Sequence, residues 1–98
     1  MLANYTVHHT GNKPSGSYTG NGSATARSID TGGIGNFCAV WRDNVVGFLL
    51  VGPGGALRCI EDSVTTVEVI TFADGVLNIE SSSSHYNGSG NTYNYQVL

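Results

Sequence analysis

The stretch 37–60, FCAVWRDNVVGFLLVGPGGALRCI, constrains the fold more than any other part of the chain. Three short apolar runs are separated by Asp43-Asn44 and by Gly52-Pro53-Gly54-Gly55. Short alternating runs between turn residues read as a β-meander. Asp and Asn both tolerate positive φ, so Asp43-Asn44 reads as a two-residue turn. That turn sets Trp41 opposite Val46, Ala39 opposite Phe48 and Phe37 opposite Leu50. A second turn over 52–55 sets Leu50 opposite Leu57 and Phe48 opposite Cys59. Phe37, Ala39, Trp41, Val46, Phe48, Leu50, Leu57 and Cys59 then share one face, the expected core. The reverse face holds Cys38, Val40, Val45, Leu49, Val51 and Ile60. A solvated sheet face alternates more cleanly than that. A chain of 98 residues has little left to cover a second apolar face. The economical cover is another copy of itself, with Val40, Leu49 and Ile60 as expected subunit contacts.

The rest of the chain repeats the pattern. Residues 1–9 read as an extended segment with Tyr5 and Val7 on one side, and 10–16 as a loop punctuated by Gly and Pro. Met1 abuts what reads as mid-chain sequence, which suggests a truncated or internal start. Asn21-Gly22 is a hairpin-type dipeptide, followed by a polar strand over 23–31 and a sharp bend at Gly32-Gly33-Ile34-Gly35. The runs 64–72 and 76–81 flank Asp74-Gly75, a strong hairpin signal. A two-residue turn there pairs Phe72 with Leu77 and Ile70 with Ile79. The other face of that hairpin carries Val67, Val69, Thr71 and Val76, so Val67 and Val69 join the expected subunit contacts. Residues 81–84 are a serine loop, Asn87-Gly88 turns the chain, and 92–98 form a last strand with Tyr93, Tyr95 and Val97 inward. No segment longer than one turn has a helical period. The expectation is an all-β domain, a small antiparallel β-sandwich or partly closed barrel of six to eight short strands.

Composition narrows the function classes. Four Lys or Arg against seven Asp or Glu give a net charge of −3. Nucleic acid needs a basic stripe, and anionic membranes need a basic patch. The longest apolar run, 45–51, is too short to cross a bilayer. The chain opens without the charged and apolar regions of a signal peptide, so cytoplasmic synthesis is expected. Gly, Ser, Thr and Asn are abundant. They suit turns, and their hydroxyl and amide groups also suit neutral polar partners such as sugars. Cys38 and Cys59 lie inside strand-like runs and read as small buried hydrophobes, with a disulfide between strands the lesser reading.

Catalytic patterns are missing. Gly32-Gly33-Ile34-Gly35 lacks the third glycine and the following helix of a dinucleotide loop. The chain has neither a Gly-Lys-Ser/Thr nor a Gly-x-Ser-x-Gly motif. Glu61-Asp62 is the one close carboxylate pair and reads as solvated surface rather than a glycosidase couple. His8 and His9 are adjacent, so in a strand they point to opposite faces and do not share an ion. A ring of three histidines on a three-fold axis is the lesser reading. No enzyme, metal or cofactor is expected.

Several motifs in order resemble a known family. His9–Pro14 (HTGNKP) is followed by SYTGNGS at 17–23 and by Arg27-x-Ile29-x-Thr31-Gly32. Phe72-x-Asp74-Gly75-Val76-Leu77-x-Ile79 comes next. Asn87-x-x-Gly90-x-x-Tyr93-x-Tyr95-Gln96-Val97-Leu98 closes the chain. The set resembles the C-terminal tip domains of tailed-bacteriophage tail fibres, and more loosely the H-type lectins. The resemblance implies a homotrimer at the distal end of a virion fibre, made in the host cytoplasm. It implies attachment to a bacterial surface glycan such as lipopolysaccharide, or to an outer-membrane protein, without membrane insertion. Residues 1–16 would continue from a fibre shaft and 17–98 would form the tip. A lectin-like adhesin, a bacteriocin fibre component and a purely structural trimerisation cap are the alternatives. The motifs are turns and core positions, so they carry over no ligand residues. The candidate receptor surface is therefore the polar loops: Arg42, Asp43 and Asn44; Glu61 and Asp62; and Ser84, His85 and Tyr86. Trp41 reads as core or as a platform beside them.

Overall fold

The computed structural model describes residues 13–98. Tyr5, Val7, His8 and His9 lie outside them, as does most of the expected shaft segment. Nine strands and no helix occur among the described residues. They are β1 (Ser15–Thr19), β2 (Arg27–Asp30), β3 (Cys38–Trp41), β4 (Phe48–Gly52), β5 (Gly55–Ile60), β6 (Ser63–Val67), β7 (Ile70–Ala73), β8 (Val76–Ile79) and β9 (Thr92–Val97). A six-stranded sheet runs in the order β1-β9-β3-β4-β5-β6, and a three-stranded sheet in the order β2-β8-β7. Every pairing is antiparallel.

The two hairpins with strong turn signals form as the sequence specifies. Leu50 faces Leu57 and Phe48 faces Cys59 across β4–β5. Ile70 faces Ile79 and Phe72 faces Leu77 across β7–β8. At Asp74-Gly75 both φ angles are positive, 52° and 79°, as a type I′ turn requires. The β3–β4 connection differs from expectation. Ala39 faces Leu50, not Phe48, because the loop spans 42–47 rather than two residues. The pairing slips by two, and a two-residue slip keeps every side chain on its expected side.

The choice of inner side is reversed. Val97, Cys38, Val51, Ala56 and Val67 form one row across five strands, and all are buried. The three-stranded sheet lies over this row with Ile70, Phe72, Leu77 and Ile79, each fully buried. The side expected to be core faces outward: Phe37 is 56% exposed, Phe48 48% and Leu57 41%. Val40, Leu49 and Val67, expected at a subunit contact, are buried within the single chain. Of that set, Ile60 is half-buried and Val69 exposed. Both sheet faces are apolar, so alternation alone did not say which one the smaller sheet would cover.

Two segments also cross between sheets where one strand or one hairpin was expected. β1 pairs with β9 and β2 with β8, so Asn21-Gly22 lies in a sheet-to-sheet crossover rather than a hairpin turn. The run 64–72 breaks after Val67 into β6 and β7, which belong to different sheets. Tyr93 and Val97 are buried as expected, and Tyr95 packs against the core. Cys38 and Cys59 are both free thiols, Cys38 buried and Cys59 half-buried.

The described residues extend 46 × 30 × 25 Å. The second sheet packs on the larger one through β7, against β4 and β5. At the β3–β4 loop end, loops cover the inner face instead.

Candidate functional site

Three loops meet at that end. The β3–β4 loop holds Asn44 at φ 63° and Gly47 at φ 98°. Gly47 passes directly over the end of β5. A Cβ there would stand 2.6 Å from the Cys59 carbonyl oxygen and 2.7 Å from Ile60 Cγ1, so only glycine lets the loop close down. The β5–β6 turn carries Glu61, at φ 52°, and Asp62, both exposed. It lies at the same end, because Phe48 faces Cys59 and Ile60 faces Ser63.

The third loop, 81–91, is held by two buried side chains. Asn87 Nδ2 donates to Asn21 Oδ1 (2.7 Å), the Ser81 carbonyl (2.9 Å) and the Ser23 carbonyl (3.1 Å). Its Oδ1 accepts from the Asn21 amide (3.1 Å) and from Arg27 (3.0 Å). The Tyr93 hydroxyl donates to the Ser84 carbonyl (2.6 Å) and accepts from the Gly88 amide (2.8 Å). Ser81 and Ser83 hydroxyl groups accept from the amides of Ser83 and His85. The serines therefore satisfy their own loop's backbone. A run that reads as low-complexity linker is a hydrogen-bonded support for His85.

Arg42 donates to the Ser84 carbonyl at 3.3 Å, and its guanidinium stands 5.7 Å from the Tyr93 ring centroid. Asp43 accepts from Asn94 at 3.1 Å. Arg58 reaches His85 Nδ1 at 3.1 Å. Arginine only donates, so Nδ1 is the acceptor and the ring proton sits on Nε2. Desolvation lowers the His85 pKa, and the positive charges of Arg58 and Arg42 push it the same way. The imidazole is held neutral.

Between these groups lies a cleft of about 50 Å³, lined by Arg42, Arg58 and His85 and by the apolar Val40, Val45, Val46, Leu49 and Ile60. Val40, Leu49 and Arg58 are one inward row of the large sheet. The cleft is thus the part of the inner face that the second sheet does not reach. A second, wider hollow of about 300 Å³ opens at the other end of the sheet, over Phe37, Leu50, Leu57, Thr66 and the turn 52–55.

The structure brings Arg42, Asp43, Asn44, Glu61, Asp62, Ser84 and His85 to one end of the large sheet. Two candidates depart from that group. Tyr86 is turned into the core, its carbonyl accepting from the Tyr18 hydroxyl at 2.8 Å. Trp41 lies on the outward face, with Ala39 and Leu50. Arg58 was missed, although its sequence position carried a signal. It shares alternation with Ala56 and Ile60, so a charged side chain points to the apolar inner side. Among the described residues no three His, Cys, Asp or Glu side chains gather to hold a metal. No family model, curated protein or solved structure matches the chain.

Proposed function

We propose that this chain is the distal receptor-binding domain of a bacteriophage tail fibre, acting as a homotrimer that attaches the virion to the host surface. The reading begins with the ordered motifs from His9 to Leu98. The observation that supports it best is the gathering of the 42–47, 61–62 and 81–91 loops at one end of a stiff sheet. Binding residues characteristically sit on loops positioned by a rigid scaffold. The outward apolar face supports the trimer. Phe37, Trp41, Phe48, Leu57 and Val64 are exposed together, and contiguous apolar patches of this kind mark association surfaces. Three copies joined there would present three sets of loops, and three weak contacts give strong attachment by avidity. The domain binds without chemistry, so a polysaccharide incubated with it keeps its chain length.

The test is adsorption of the purified chain to bacterial cells and envelope fractions. Alanine at Arg42, Asp43, Asn44, Glu61, Asp62, Ser84 and His85 together is expected to abolish adsorption while the assembly keeps its mass. Adsorption that survives all seven substitutions contradicts the reading. A chain that assembles and binds no envelope component is instead the structural cap.

A further inference from the structure

We propose that the cleft between the β3–β4 loop and His85 seats one anionic group, a carboxylate or phosphate carried on a surface sugar. This inference rests on the receptor-binding reading and names the chemistry its ligand would have.

The chain has four Lys or Arg in all, and two of them line this one cleft together with His85. No carboxylate is among the lining residues. The hydrogen-bond partners these arginines take are the Ser84 carbonyl and the His85 ring. Neither partner carries negative charge, so both guanidinium groups keep their attraction for an anion. Arginine presents planar pairs of donors that match carboxylate and phosphate oxygens. The His85 ring keeps its proton on Nε2, which adds a neutral donor without a third positive charge.

The supports of these groups are rigid. Arg58 stands on β5 beside buried Leu49. Arg42 is held by Ser84, and Ser84 is held in turn by the buried Tyr93 hydroxyl. A charged pair that is preorganised loses little freedom on binding. The volume of about 50 Å³ fits one functional group rather than a whole sugar ring. The surface beside it suits the rest of a saccharide. Asn44 and Ser84 are exposed and offer hydrogen bonds to sugar hydroxyls, while Val45 and Val46 offer apolar contact to ring carbons.

The experiment is a side-chain NMR titration of the full chain with glucuronate, glucose 6-phosphate, inorganic phosphate, glucose and an aspartate-containing peptide. Glucuronate and glucose 6-phosphate are expected to move the Arg42, Arg58 and His85 signals saturably, and added salt is expected to weaken both. Which of the two binds tighter separates a carboxylate source from a phosphate source. Arg58→Gln is expected to weaken the tighter one about tenfold with the backbone spectrum unchanged. If neither sugar anion moves these signals, or if glucose moves them equally, the proposal is overturned. Inorganic phosphate binding as tightly as the sugar phosphate, or the peptide binding tighter than both sugars, also overturns it. Parallel adsorption to cells keeps the two readings apart. Loop-dependent adsorption without an anion response leaves the receptor reading and removes this site. An anion response without adsorption does the reverse.

Discussion

Asn87 shows how much of this molecule depends on single buried polar groups. Its amide meets five partners from three segments of chain, and the side chain is fully buried. Asn87→Ala would leave the Asn21 amide and the Ser81 carbonyl without this partner in a part-buried site. Each such group costs roughly 1–3 kcal/mol. The expected loss is at least about 2 kcal/mol, read from urea denaturation. Alkaline pH should act on buried groups in a related way. Burial pushes the Cys38 thiol from 9.0 up to about 11. Burial, and then Tyr93 beside it, raises the Tyr18 phenol. Between the unfolded and folded values the folded chain holds more protons, so stability falls as pH rises. On the alkaline side of neutrality the urea midpoint is expected to be steady up to pH 9.0 and to drop as pH climbs towards 11, through Cys38 first. Cys38 as a buried hydrophobe was legible in the sequence. Asn87 was not, because Asn-Gly ordinarily marks an exposed turn, and all its partners but Ser81 lie sixty or more positions away, at Asn21, Ser23 and Arg27.

At the scale of elements, legibility followed the turns. Asp74-Gly75 fixes its own φ angles, and the β7–β8 register came out as read. Gly75→Ala places a Cβ against the Gly33 carbonyl at φ 79°, a conformation L side chains rarely adopt. The expected cost is about 2 kcal/mol or more, seen as a fall in thermal midpoint, with loss of the β2–β8 edge in hydrogen exchange. Asp43-Asn44 specified less. Gly47 supplies a second positive φ, the loop lengthens to 42–47, and the register moves by two. The break between β6 and β7 was hidden for a different reason. Its sequence, Val67-Glu68-Val69, keeps strand alternation while the chain changes sheets. The cleft has two causes. It exists because the loop is long enough to fold over Ile60, and because Arg58 points inward.

At the scale of the molecule, the two apolar faces of the large sheet exchange their expected roles. The smaller sheet covers Cys38, Val51, Ala56 and Val67. Phe37, Trp41, Phe48, Leu57 and Val64 are left outside. Leu57→Glu and Val51→Glu should therefore behave oppositely. The first is expected to give a folded monomer, with strand circular dichroism intact. The second buries a charge in the core and is expected to abolish folding. The central claim is that the outward face joins three copies of the chain. Static light scattering of the whole chain at micromolar concentration tests it most directly. The account predicts three times the chain mass of 10.2 kDa, falling to a single chain in Leu57→Glu. A mass of 10.2 kDa for the unaltered chain would contradict it.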